Sequence, residues 1–368
     1  MSKITKEGKI VLFITLLLTA FGVYMVYSAS RVWALAKYND SFYFLKRQLI
    51  FALIGIAIMI ILINFPIDKL FEKSNLLLLI SFVFLIIVLI PGIGILRNGS
   101  RSWIGVGTLV FQPSEIFKIT AIIFVSKYLA KYYNKTKRFF KTIVPLMIPS
   151  LIGFLLILLQ PDFGTGIVLL SAIVIMTIIS KAHFKNYLYL GGLGLIAFAI
   201  LIITKPYRIQ RITAFIDPFE DPLGSGFQII QSLYAIGPGG ILGLGIDSSI
   251  QKHFFLPEPQ TDFIFAIVCE EFGFIGAIIL IILFGYLLYY GLRIAYLSKR
   301  LDLCFLSVGI ISLIGVQIII NLGVVVGLLP VTGITLPFIS YGGTSLIIVL
   351  SCIGLLVNAS RKEYLVWI

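Results

Sequence analysis

Long apolar runs separated by short polar connections dominate the chain. A membrane-spanning helix needs about 20 predominantly apolar residues. Ten stretches meet or approach that length: 10–29, 48–65, 75–93, 113–131, 143–160, 164–181, 187–204, 263–292, 303–328 and 342–359. The two runs flanking Gln160-Pro161-Asp162 are joined very tightly. The stretch 263–292 is long enough to tilt or to project beyond a bilayer. The pattern predicts an all-α polytopic membrane protein with about ten transmembrane helices, built as one integral membrane domain over 1–368. No internal repeat and no separate soluble domain is visible.

Composition makes the membrane reading firm. Apolar residues make up 59% and charged residues 12%, with a mean hydropathy of +1.07. Soluble domains carry about twice that share of charge. A disordered chain, a disulfide scaffold and an ordinary cytosolic enzyme are excluded. Cys269, Cys304 and Cys352 lie in or beside apolar runs without a CxxC spacing, so neither a disulfide framework nor a zinc site is expected. His183 and His253 are the two histidines, too few for a His-based metal cluster. The first apolar run follows MSKITKEGK and lacks a small-residue cleavage site, so it reads as a retained helix.

The net charge of +13 would suggest a nucleic-acid partner in a soluble protein. Here the cations sort by side instead. Placing the N-terminus in the cytoplasm puts most Lys and Arg inside, with Lys127, Lys131, Lys135, Lys137, Arg138 and Lys141 as the largest group. An even number of spans places both termini there. The acids sort the other way: only Glu7, Asp68, Glu72, Asp302 and Glu363 fall on the cytoplasmic side. Residues 205–262 then form a long extracytoplasmic loop between helices 7 and 8, far beyond ordinary loop length. Its apolar stretches at 227–236 have helical spacing, which predicts short helices on or in the outer leaflet.

The densest candidate site closes that loop at Leu256-Pro257-Glu258-Pro259-Gln260-Thr261-Asp262. Asp262 could simply cap a helix, but Glu270 and Glu271 follow within the same span. Glu115 and Lys118 lie at i and i+3 on one helix face, where intramembrane charges need a partner or a cavity. Asp162 sits in a tight turn, which an Asx turn would also explain. Arg208 and Arg211 open the long loop, and arginine forks suit a diphosphate. The glycines of 237–245 fit neither a Walker nor a dinucleotide pattern, so a conformational role is expected. Residues 330–343 read as irregular backbone, tolerated at membrane depth when buried or lining a wet cavity. The residues alone leave enzyme and transporter both open.

Six motifs in order resemble the shape, elongation, division and sporulation family of FtsW, RodA and stage V sporulation protein E. They are QPSEIFK at 112–118, QPDFGTG at 160–166, KPYRIQRITAFIDP at 205–218, SGFQIIQSLYAIGPGGILGLGI at 225–246, QKHFFLPEPQTDFIFAIVCEEFG at 251–273 and LPVTGITLPFISYGGTS at 329–345. The segments GLGIDSSIQK and LPVTGITLPFISYGGTS look like the FtsW and stage V sporulation protein E branch. Phe272 departs from the Leu the family often has after its two acids.

The resemblance implies an inverting peptidoglycan glycosyltransferase at the outer face of the bacterial cytoplasmic membrane. It implies lipid II, an undecaprenyl-diphosphate-linked disaccharide-pentapeptide, as substrate. A class B penicillin-binding protein is the implied partner, beside other division proteins and at the division or sporulation septum. The family's essential aspartate falls on Asp262 and its buried pair on Glu115 and Lys118. Asp162, Arg208, Arg211, Gln228, Ser232, Lys252, Glu258, Thr261, Glu270 and Ser340 are the expected supporting residues. The leaving diphosphate needs cations, from Arg208, Arg211, Lys118 or a divalent ion such as Mg²⁺ or Mn²⁺. A lipid II flippase or a non-catalytic division scaffold are the rival readings. Neither nucleic acid nor a certain cofactor is expected.

Overall fold

A computed structural model describes residues 4–97, 99–106, 109–203, 206–361 and 363–364. Each of the ten expected spans contains a helix. They are α1 (Lys6–Tyr38), α2 (Tyr43–Asn64), α4 (Ser74–Ile87), α5 (Pro113–Lys131), α6 (Phe139–Leu158), α7 (Phe163–Ile178), α8 (Lys185–Ile203), α11 (Ile264–Leu297), α12 (Leu301–Val325) and α13 (Gly343–Ala359). A short α3 (Ile67–Glu72) links α2 to α4. Among the described residues five helices are both long and apolar enough to cross a membrane, and α4, α7 and α13 are shorter apolar helices. α5 carries the buried Glu115 and Lys118.

α12 is the centre of the bundle: 72% of its apolar stretch is buried, against 28% for α2 and for α11. It packs on α5, α7 and α11, while α13 lies along α2. The outer helices leave large apolar side chains exposed, such as Leu53, Leu79 and Leu155. Contiguous apolar surface on that scale belongs against hydrocarbon rather than water.

Two differences from the expected spans matter. The stretch 75–93 stops being helical at Ile87, and the chain then builds a three-stranded antiparallel sheet of β1 (Gly94–Arg97), β2 (Ser100–Val106) and β3 (Leu109–Phe111). Arg97 pairs with Ser100 in the antiparallel ladder of β1 and β2, and the sequence between them, Asn-Gly, is one that favours tight hairpins. The sheet docks on the turn between α6 and α7, where the Ser100 and Ser102 hydroxyls donate to the Gln160 carbonyl. The second difference is a break inside α11 at Gly273, whose φ of 62° is open to glycine at little cost.

The long loop contains two helices, α9 (Pro206–Ile216) and α10 (Phe227–Gly239). After α10 the glycine segment runs against the break in α11. Leu244 and Gly245 N–H donate to the Glu270 and Glu271 carbonyls at 2.9 and 3.1 Å, and Phe274 and Ile275 N–H donate back to Gly240 and Ile241 at 2.9 and 3.2 Å. These bonds satisfy the groups that the break releases. Gly243 has φ +83°, and a Cβ there would meet the Glu271 carbonyl. The glycines are thus built into a conformational joint.

The cation bias and the fold together set a topology test. Ser225 and Asn134 are both exposed, the first in the long loop and the second between α5 and α6. In a background without the three native cysteines, Ser225→Cys on whole cells is expected to react with an impermeant thiol reagent and Asn134→Cys to stay unlabelled. The reverse pattern would invert the assigned sides.

Candidate functional site

Four helix N-termini meet at one end of the bundle: those of α5, α7, α11 and α13. Three hydrogen bonds document the convergence. The Gln112 amide donates to Asp162 Oδ2 at 2.7 Å, joining the starts of α5 and α7. Gln112 N–H donates to Thr344 Oγ1 at 3.3 Å, joining α5 to α13. Tyr341 N–H donates to the Gln260 carbonyl at 2.8 Å, joining the approach to α13 with the approach to α11. Helix N-termini carry unpaired N–H groups and the positive end of the helix dipole. α7 is capped by Asp162, which accepts from Thr165 N–H at 3.2 Å. No side chain caps α5, α11 or α13.

Asp262 stands two residues before α11, in the turn that closes the long loop. It does not act as that helix's cap. Its Oδ1 lies 2.9 Å from Thr261 Oγ1, and the same hydroxyl lies 2.7 Å from the Glu258 carbonyl. Glu258 has a left-handed backbone with φ 43°, an uncommon conformation for a side chain of that size. The turn is held from below by Asn321 on α12, whose amide donates to the Asp262 carbonyl at 2.7 Å and to the Ile334 carbonyl at 2.8 Å. Desolvation pushes the Asp262 carboxyl above the usual carboxylate range. The Thr261 hydrogen bond and the charge of Arg211 pull it back in part, while Glu258 adds to the rise.

Arg211, on α9, donates to the Val331 carbonyl at 3.0 Å and so ties the long loop to the irregular segment before α13. Arg208 belongs to the same helix, but its side chain lies outside the described residues, as does Lys205 of the same motif. Within the irregular segment, Ser340 Oγ accepts from Leu336 N–H at 2.8 Å, and the Gln48 amide donates to the Ser340 carbonyl at 3.2 Å. Ser340 therefore shapes the loop through its hydroxyl.

Glu115 and Lys118 form a direct ion pair of 2.8 Å in the first turns of α5, with side-chain exposures of 5% and 0%. The second Glu115 oxygen is buried with no hydrogen-bond partner among the described residues. Asp162 lies close enough for both charges to act on it: Glu115 raises and Lys118 lowers its pKa, and desolvation is the largest influence, leaving the carboxyl raised overall.

The remaining candidates lie elsewhere. Lys252 is fully buried in a network that sequence reasoning only touched. Its ammonium donates to the Asp247 carbonyl at 2.7 Å, to Asp247 Oδ1 at 2.5 Å and to Glu271 Oε1 at 3.1 Å. Ser28 of α1 donates to the same Glu271 oxygen at 2.6 Å, and Arg31 pairs with Asp247. Arg31 and Ser28 carried no motif signal of their own, and Asp247 was covered only by the GLGIDSSIQK resemblance, which gave it no role. Glu270 accepts from Ser249 Oγ at 2.5 Å and from Ile250 N–H at 2.8 Å, which anchors the loop leading to Asp262. Ser232 donates to the Val325 carbonyl at 2.7 Å, fixing α10 to α12, and Gln228 is half-buried on α10. Among the described residues no group of three or more His, Cys, Asp or Glu side chains is placed to hold a metal ion.

The fold and site define an integral membrane protein whose chemistry-bearing side chains gather where uncapped helix N-termini face one end of the bundle. Residues 9–365 match the cell cycle protein family of FtsW, RodA and SpoVE, and the chain belongs to that family. Stage V sporulation protein E of Bacillus subtilis (strain 168) is 51% identical over 360 residues, covering 98% of each chain. The probable peptidoglycan glycosyltransferase FtsW of Geobacter sp. (strain M18) is 40% identical over 362 residues, covering 98% of this chain and 99% of that one. Among solved structures, one described as "Structural coordination of polymerization and crosslinking by a peptidoglycan synthase complex" superposes with a TM-score of 0.76 at 32% identity, over 96% of this chain and 98% of that one. The rod shape determining protein RodA of Thermus thermophilus gives 0.69 at 28% identity, over 96% of both chains.

The Glu115–Lys118 pair sets a second test. Removing one partner of a buried pair strands the other charge, at a cost of about 3–5 kcal/mol. Glu115→Ala and Lys118→Ala are each expected to lower the unfolding midpoint in detergent strongly, and the double variant by less than the sum. Strict additivity in that double-mutant cycle would contradict a direct pair.

Proposed function

We propose that the chain is a peptidoglycan glycosyltransferase that polymerises lipid II at the outer face of the cytoplasmic membrane, with Asp262 as general base. The observation that carries this reading is the desolvated Asp262 carboxyl at the end where four helix N-termini converge. Its support comes from family membership and from relatives named as probable peptidoglycan glycosyltransferases.

In this reading the acceptor's sugar hydroxyl attacks the anomeric carbon of the donor. Asp262 takes the hydroxyl proton as the new bond forms. The bond to undecaprenyl diphosphate breaks, and the electron pair leaves on the diphosphate. One displacement converts the α-linked donor to a β-linked product, so no covalent enzyme intermediate is required. Arg211 and the uncapped N–H groups of α5, α11 and α13 stand at the end that a diphosphate would occupy. Lys118 is already neutralised by Glu115, so its contribution is to hold that pair in place rather than to offer a free charge. No step is assigned to a divalent ion.

A flippase would need ionisable groups near the middle of the bilayer and two alternating halves. Here Asp162, Glu115 and Asp262 all lie at helix starts on the same end, which favours chemistry at one surface. The partner in this proposal is a class B penicillin-binding protein that crosslinks the new strand. The synthase complex among the structural neighbours and the 51%-identical sporulation protein support that setting, at a division or sporulation septum.

Purified protein given lipid II is expected to make glycan polymer, and Asp262→Ala or Asp262→Asn to reduce the rate by about 10²–10⁴ while still folding. Near-normal polymer from folded Asp262→Ala would remove the general-base role; lipid transport without polymer would favour the flippase. The pH dependence follows from the raised carboxyl. A base must be ionised, so activity is lost as pH falls through a value above the ordinary aspartate pKa of about 3.9. A rate profile whose acid limb lies at or below that value would contradict the desolvated setting.

A further inference from the structure

The end of the bundle opposite Asp262 carries a second, unassigned feature. α6 runs from Phe139 toward the Gln160–Asp162 turn, so its start lies at the far end, and α8 starts there too at Lys185. The two starts are joined by the Phe139 and Tyr187 rings, edge to face with centroids 5.1 Å apart. Beside them is an open surface depression of about 460 Å³, lined by Lys137, Arg138, Phe139, Phe140, Lys141 and Asn186. Three of the six lining residues are cations and none is an acid. Between Glu115 and Asp217 the chain holds one carboxylate, Asp162, and it sits at the other end. Among the described residues the side chains of Lys137, Arg138 and Lys141 make no ion pair.

The arrangement gathers three exposed cations at one helix start. Cations at a helix N-terminus oppose the positive end of its dipole. Arg138 occupies the N-cap position of α6, and no side chain caps that helix. The three cations fall within the consecutive residues 137–141, so the turn into α6 presents them together with no acid among them. Phe140 and Phe184 project nearby with 66% and 63% exposure, which places apolar surface beside the charged opening.

We infer that this depression binds the phosphodiester headgroup of an anionic phospholipid in the inner leaflet, with the lipid's acyl chains against the exposed aromatic rings. Basic recesses of this kind at the cytoplasmic side of helix bundles suit such headgroups. The diphosphate of the proposed substrate is handled at the opposite end, so this site is separate from the reaction.

The test uses the full-length chain in detergent, titrated with phosphatidylglycerol or with phosphatidylcholine and read by native mass spectrometry and by the unfolding midpoint. The depression variant is Lys137→Gln, Arg138→Gln and Lys141→Gln combined. The control is Lys127→Gln, Lys131→Gln and Lys135→Gln, which removes as much charge from the same face outside the depression. Wild-type protein is expected to retain phosphatidylglycerol in preference to phosphatidylcholine. The depression variant should bind it about tenfold more weakly and lose the rise in midpoint, while the control stays within about twofold of wild type. If the triple variant does not fold, Lys141→Gln alone should still weaken retention about threefold. Equal losses in depression variant and control, unchanged retention in Lys141→Gln, or no lipid preference in wild type would overturn the assignment.

Discussion

In hydrocarbon there is no water to complete a broken hydrogen bond, and every other feature of this structure answers to that constraint. Four helices start at one end of the bundle, and the chain reaching them is irregular. Those approaches survive because a few amides do the work that water would do outside. Asn321 serves the Asp262 and Ile334 carbonyls at once, so one side chain on the most buried helix fixes both the loop carrying the carboxylate and the loop facing it. The Gln48 amide acts in the same way toward the Ser340 carbonyl, while Gln112 donates to the Asp162 carboxylate through its side-chain amide and to the Thr344 hydroxyl through its backbone N–H.

The break at Gly273 is a second answer to the same constraint. A helix interrupted within a span exposes carbonyls, and here the segment around Gly243 supplies the missing donors and acceptors. Glycine is required on both sides because the backbones approach too closely for a Cβ. The result couples the long loop to α11 through backbone, and Lys252 adds a charged tie to α11 and, through Glu271 and Ser28, to α1. The later part of the loop is thereby tied to α11 and α1 at several points.

The helices were legible because their signal is a run of apolar residues, which needs no partner to be read. Their ends were less so. The stretch 75–93 contained a helix and then the lead into a sheet, and its Ile-rich sequence suits either; the Asn98-Gly99 dipeptide was the available clue. The Glu115–Lys118 pairing was readable from i, i+3 spacing. The Arg31–Asp247–Lys252–Glu271 network was not, because its members are far apart in sequence and only the loop's path brings them together. The cap reading of Asp262 was reasonable from its position, and it failed because α11 begins two residues later and the carboxylate turns to Thr261 instead.

That failure bears on which carboxylate can act as a base. Asp162 is committed to capping α7 and holding Gln112. Glu115 is neutralised by Lys118, and Glu271 by Lys252. Glu270 is held by backbone N–H groups and a serine. Each of these carboxylates is thereby committed to a hydrogen bond or ion pair that holds the fold. Asp262 instead faces a hydroxyl within its own turn while burial raises its proton affinity. Freedom from a structural duty, combined with desolvation at the mouth of the bundle, is what separates this aspartate from acids equally well placed in the sequence.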